Sequence, residues 1–151
     1  MARKIKNNLV FAISLRRDSI IKRERLEEAF RYLVPVSSFE ELKIPLYVTA
    51  TNLETMEPRI YSEGDLIEAI VRSSSIPGYV QPTRIDDEII VDGNPTLPIP
   101  VQPLKENVDF CIAVDITRKT ASPMKRVNIF EIVMRGSQAT YENLVQYMNS
   151  E

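Results

Sequence analysis

The chain has 151 residues, 44% of them hydrophobic and 26% charged, with a formal net charge of −2. That is the size and composition of one ordinary globular domain, with no apolar run near the roughly 18 residues that a membrane span needs. With no histidine and only four glycines, it can hold no Ser-His-Asp triad, Cys-His pair or histidine-ligated metal site, and no Gly-rich phosphate loop or G-x-S-x-G elbow.

The opening Met1-Ala2-Arg3-Lys4-Ile5-Lys6 is basic, and Leu9 to Leu15 is apolar apart from Ser14. Arg16-Arg17 follows in place of a small-residue cleavage site, so the segment does not read as secretory. The single cysteine, Cys111, rules out an internal disulfide, and a cytoplasmic location is the simplest reading. Residues 1–35 carry nine Lys/Arg against four Asp/Glu, and the remainder ten against seventeen. Because Glu24, Glu27 and Glu28 are interleaved with the bases, this reads first as a solvated helix face. The competing reading is a peripheral membrane contact, with Arg16, Arg17, Lys22, Arg23 and Arg25 beside Leu9, Val10, Phe11 and Ile13. No aromatic-basic interleaving or reading module points to nucleic acid.

Leu26, Ala29, Phe30 and Leu33 recur at helical spacing, predicting a helix over Arg23–Val34 that Pro35 stops. Ile44 to Ala50 is β-rich and reads as a buried strand. Asn52 to Tyr61 reads as a hairpin or loop around Glu57-Pro58. Ser62-Glu63-Gly64-Asp65 has the outline of a capping box, so a helix is expected from about Asp65 to Ser75, ending before Pro77-Gly78. Thr83-Arg84-Ile85, a turn at Asp86-Asp87 and Glu88 to Val91 make a short hairpin ending in Asp92-Gly93. A proline-rich connection, Pro95 to Pro103, leads to Phe110-Cys111-Ile112-Ala113-Val114, an apolar run suited to an interior parallel strand. A long helix, Arg126 to about Met148, closes the pattern, with Ile129, Ile132, Val133, Gly136, Thr140 and Leu144 on one face. Strands alternating with helices indicate α/β architecture.

Three ordered stretches carry a resemblance. They are Phe39 to Thr55; Ala69-Ile70-Val71-Arg72-Ser73-Ser74-Ser75-Ile76-Pro77-Gly78; and Ile90-Val91-Asp92-Gly93-Asn94 with the trailing Leu97-Pro98-Ile99-Pro100-Val101. Together they resemble the patatin-like phospholipase family, in a register running from about Leu15 to Ile116. The resemblance implies a single, incomplete domain over 1–151, related to the α/β hydrolases, with a mainly parallel central sheet, flanking helices and a short hairpin. The family's Gly-rich oxyanion loop and its G-x-S-x-G elbow lie upstream of the matched region. Asn94 stands where the family usually has a second glycine, and Met56 where a turn glycine is common; Asn94 tolerates left-handed geometry, and Met56 is expected only to reshape a surface loop.

Asp92 is the residue to single out. As a bare signal, Asp-Gly after a strand is a structural turn. The resemblance implies instead that Asp92 is the catalytic acid, pairing directly with the elbow serine and taking its proton without histidine, with Gly93 and Asn94 as the supporting turn. No nucleophile in this chain, no cofactor and no metal is expected. Ser73, Ser74 and Ser75 have no elbow around them and read as helix-end hydroxyls. Arg72 pairs with an acid, lines the cleft or lies at the surface. Ser137 reads as helical surface, with Gly136 permitting close packing. Asp115, at the end of its own predicted strand, is a rival carboxylate read as a strand-end or capping residue. Cys111, mid-strand, reads as buried and inert.

Two functions follow as expectations. One is a serine lipid acyl hydrolase acting on phospholipid or other acyl lipid, to which this chain supplies the acid but not the serine. The other is a non-catalytic module of the same fold that binds lipid or protein. A sheet lacking its elbow strand would expose an edge, so association of two copies is also expected.

Overall fold

A computed structural model describes residues 19–104, 108–114 and 129–148. The chain divides into two compact units, Met1–Leu97 and Pro98–Glu151.

In the first unit, helix α1 (Arg23–Leu33) is followed by a 3₁₀ turn (Phe39–Glu41), strands β1 (Val48–Asn52) and β2 (Glu57–Tyr61), helix α2 (Leu66–Ser73), and strands β3 (Thr83–Ile85) and β4 (Glu88–Asp92). α1 ends where expected, since Pro35 cannot continue a helix. α2 begins at Asp65, whose carboxylate accepts the Glu68 N–H at 2.8 Å, satisfying one of the orphan donors of the first turn. The predicted box starting at Ser62 is therefore a single Asp65 cap. A reciprocal cap occurs upstream instead, where the Ser38 N–H donates to Glu41 Oε1 at 3.0 Å.

The four strands form one sheet in the order β2-β1-β4-β3, and every neighbouring pair is antiparallel. Among the described residues the expectation of a mainly parallel sheet is therefore not supported. Two of the three pairings have a local cause: β1 and β2 are joined by only Leu53 to Met56, and β3 and β4 by Asp86-Asp87; β1 and β4 pair antiparallel across the long connection 53–87. The two short connections can only reverse the chain, whereas parallel neighbours need a crossover of a dozen residues or more. β1 also starts later than expected, at Val48. Pro45 has no N–H for a ladder, and Ile44, Leu46 and Tyr47 are exposed.

β1 is buried along its whole length. The core gathers Phe39, Val48, Leu66 and Ala69, with Val34, Val36, Leu42, Tyr61 and Ile70 packed against them; Ala50, Ile67, Val71, Ile90 and Val91 are also buried. α1 buries no residue completely. Polar contacts hold it instead: Arg23 bonds Glu68 and donates to Thr83 Oγ1 at 3.2 Å, and Arg31 reaches Glu27 at 2.9 Å and Asp65 at 3.7 Å. Arg25 lies 3.6 Å from Glu28. The bases of α1 thus pair with the interleaved Glu27 and Glu28 and with Asp65 and Glu68 beyond the helix; Leu9 to Ile13, Arg16 and Arg17 lie outside the described residues. The edges of the sheet discourage further pairing: β3 has three residues, and β2 carries Glu57, Pro58 and Arg59 exposed.

The second unit contains a 3₁₀ turn (Gln102–Leu104) and helix α3 (Ile129–Met148); the predicted start at Arg126 lies outside the described residues. Three expectations fail here. Phe110 to Val114 forms no strand, and Phe110, Ile112 and Val114 are 78%, 76% and 74% exposed. Hydrophobicity alone does not make a strand; a ladder partner is required, and the described sheet consists of β1 to β4 only. Cys111 is correspondingly exposed, not buried. A Cβ at Gly136 would meet nothing within 4 Å, so that glycine mediates no close packing among the described residues. Ser137 lies at the helix surface as read, its hydroxyl bonding the Val133 carbonyl at 3.0 Å. No helix among the described residues is long and apolar enough to cross a membrane.

Candidate functional site

Asp92 is the last residue of β4, opposite Ala50 of β1. Three contacts fix it. Its N–H donates to the Ser75 carbonyl at 3.0 Å. Its Oδ1 accepts the Asn94 N–H at 2.8 Å, closing an Asx turn that orients the carboxylate. Its successor, Gly93, is buried against β1.

The chain turns at Gly93 and Asn94 without left-handed backbone. The left-handed positions are Met56, Asp86, Gly64 and Gly78, so neither Gly93 nor Asn94 turns the chain through positive φ. Gly93 is required for space: a Cβ there would stand 2.6 Å from Thr49 Oγ1 and 2.7 Å from the Thr49 carbonyl oxygen. The turn continues with the Leu97 N–H donating to the Gly93 carbonyl at 2.9 Å. The Thr51 and Thr96 hydroxyls, 2.8 Å apart, tie it back to β1. The sequence reading missed Thr49, Thr51 and Thr96; alternate threonines in a buried strand were the available signal, since hydroxyls on one face need partners.

Two opposing effects act on the carboxyl's affinity for a proton. Burial raises its pKa above the ordinary carboxylate value, and the Asn94 N–H, which favours the anion, opposes the rise. A carboxylate that binds a proton more readily than usual is the better acceptor for a hydroxyl proton. Asp86 and Asp87 sit at the opposite end of β4, in the β3–β4 turn.

The other candidates separate from this site. Ser75 is fully buried, and its hydroxyl donates to the Val71 carbonyl at 2.7 Å, the helix-end role expected of it. Arg72 donates to Glu68 at 3.0 Å and lies 5.1 Å from the centre of the Tyr61 ring, which settles it as an ion-paired residue. Asp115 lies outside the described residues. Among the described residues no group of three or more Cys, Asp or Glu could hold a metal ion.

Two comparisons with known proteins bear on this site. A family model described as patatin-like phospholipase matches residues 3–105. Uncharacterised NTE family proteins of Mycobacterium bovis and of two Mycobacterium tuberculosis strains are 32% identical over 107 residues, covering 70% of this chain. The chain spans about 30% of the length of these relatives.

Proposed function

Because the chain belongs to the patatin-like phospholipase family, we propose that it contributes the acid/base carboxylate, Asp92, to a serine-dependent lipid acyl hydrolase. The nucleophilic serine and the oxyanion donors lie outside these 151 residues, which contain no G-x-S-x-G. The observation that carries this reading is the Asp92 carboxyl, held at Oδ1 by the Asn94 N–H and made more proton-binding by burial.

The chemistry follows from those groups. Asp92 accepts the serine hydroxyl proton as the serine oxygen attacks the ester carbonyl. It returns the proton to the leaving alcohol, so that an acyl-serine forms and the ester C–O bond breaks. It then takes a proton from water, which attacks the acyl-serine, and the serine recovers its proton as the fatty acid departs. With Oδ1 engaged by Asn94, Oδ2 is the oxygen left to face the serine. An acyl lipid, phospholipid included, is the substrate class. The oxyanion donors supply a large part of the rate in acyl transfer, so the chain alone has negligible esterase activity.

The test is hydrolysis of a short-chain nitrophenyl ester by the chain alone and mixed with a separately produced family segment bearing the G-x-S-x-G elbow. Turnover in the mixture only is the expected result; serine-dependent turnover by the chain alone overturns the reading. A second reading, a non-catalytic lipid- or protein-binding module, draws on the exposed run of Val108, Phe110, Ile112 and Val114. Silence in the mixture, together with retention of the chain on phospholipid vesicles, would favour it.

A further inference from the structure

We propose that Ser75 is a positioning residue for the Asp92 carboxylate, its hydroxyl locking the end of α2 so that its carbonyl holds the Asp92 amide. This rests on the reading of Asp92 as the reacting carboxylate.

The two edges of β4 end at different residues. On one side β4 pairs with β1 up to Asp92 opposite Ala50. On the other side the ladder with β3 ends earlier, at Ile90 opposite Thr83. The Asp92 N–H would therefore lack a strand partner on that side, at the end of the strand where the carboxylate must be fixed. The Ser75 carbonyl supplies the acceptor, at 3.0 Å.

That carbonyl is presented by the way α2 ends. Around it the backbone bonds run locally: the Ser74 N–H to the Ile70 carbonyl at 3.0 Å, the Ser75 N–H to the Arg72 carbonyl at 3.2 Å, and the Ile76 N–H to the Ser74 carbonyl at 3.0 Å. Tyr79 and Val80 both return N–H groups to the Ile76 carbonyl at 3.0 Å. Of the carbonyls from Ser74 to Ile76, that of Ser75 bonds the sheet. The Ser75 side chain is 0% exposed and donates to the Val71 carbonyl at 2.7 Å, closer than the Ser74 N–H that shares that acceptor at 3.2 Å. An alanine would fill most of the space but leave the last turn of α2 without this clamp. A buried hydroxyl whose one observed bond fixes the residue that holds Asp92 is more than a filler.

The test has two readouts. In the 151-residue chain, hydrogen exchange of the Asp92 amide is compared with that of Ala69, whose N–H bonds the Asp65 carbonyl, and Ala50. Ser75→Ala should speed exchange at Asp92 roughly five- to tenfold, the factor expected for loss of one typical net hydrogen bond, while Ala69 and Ala50 change less. Ser75→Cys, which keeps a side chain of similar size but donates weakly, should give an intermediate change and guards against loss of folding in the alanine variant. In the mixture with the elbow-bearing segment, Ser75→Ala should lower kcat with KM little changed. It should also move the acid limb of the kcat/KM profile to lower pH, because a loosened Asp92 gains water. If Asp92→Asn leaves turnover intact, the reading of Asp92 itself fails. If Asp92→Asn abolishes turnover while both Ser75 variants match the parent in Asp92 exchange and in the acid limb, the assignment of Ser75 is overturned. Uniformly faster exchange at all three amides with an unmoved acid limb would likewise reduce Ser75 to a core residue and overturn it.

Discussion

Gly93→Ala is the substitution whose cost follows most directly from the geometry. The added Cβ would lie 2.6 Å from Thr49 Oγ1, 2.7 Å from the Thr49 carbonyl oxygen and 3.0 Å from the Thr49 carbonyl carbon. The shortest of these falls about 0.8 Å inside ordinary carbon contact distances. A rotation of Thr49 relieves only the first contact. The other two are backbone, at the register position next to Ala50 opposite Asp92, so β1 and β4 must separate or the turn after Asp92 must shift. Overpacking of a buried site costs about 1–3 kcal/mol, and the upper end applies where backbone must move. A loss of about 3 kcal/mol corresponds to a Tm lowered by roughly 10–20 °C in a unit of about 100 residues. Urea titration followed by tyrosine fluorescence measures it, with two controls. Thr49→Ala combined with Gly93→Ala should recover less than half of the loss, because the carbonyl contacts remain. Gly136→Ala, in a helix with nothing within 4 Å of the added carbon, should stabilise by about 1 kcal/mol. A Gly93→Ala midpoint within about 0.5 kcal/mol of the parent would refute the close approach on which the placement of Asp92 depends.

Three further outcomes follow. Asp92→Asn should stabilise the fold at neutral pH and be nearly neutral in strong acid: burial raises the native carboxyl pKa, so the benefit of its neutral form is complete below the ordinary carboxylate value and lost as pH rises through the raised one; denaturant midpoints across pH 3–7 test the sign. Met56, exposed and held at φ 58°, occupies a conformation that costs a side-chain-bearing residue about 1–2 kcal/mol. After the entropy of glycine in the unfolded chain is allowed for, Met56→Gly should raise stability by about 0.5–1 kcal/mol, read in the same titration. Asp65→Ala, removing the cap of α2, should cost about 1 kcal/mol, measurable as a lower thermal midpoint.

Local chemistry explains what the sequence revealed of this molecule. The boundary of α1 at Pro35, the start of α2 at Asp65 and the β3–β4 hairpin around Asp86-Asp87 are set by residues within a turn of one another. The position of Asp92 at a strand end was legible for the same reason, and the family resemblance was legible from three ordered stretches. What was not legible depends on residues distant in sequence. An apolar run such as Phe110 to Val114 states that burial is favourable but not whether a ladder partner exists. Both hairpins were legible from their turns, but the antiparallel pairing of β1 with β4 joins strands separated by residues 53–87. The Asp92 amide is held by the Ser75 carbonyl, from a residue 17 positions earlier, and no local pattern joins the two. At Gly93 the fold uses the lack of a side chain, which depends on Thr49 of β1, and no left-handed backbone is involved.

The central claim is that the Asp92 carboxylate performs the proton transfers of an acyl hydrolase. Its most direct test is nitrophenyl ester hydrolysis by the chain combined with an elbow-bearing family segment, comparing Asp92→Asn with Asp87→Asn, which alters a carboxylate at the far end of the same strand. Turnover should fall at least a hundredfold for Asp92→Asn, as loss of an acid–base group does, and stay unchanged for Asp87→Asn. Turnover that survives Asp92→Asn would contradict the claim.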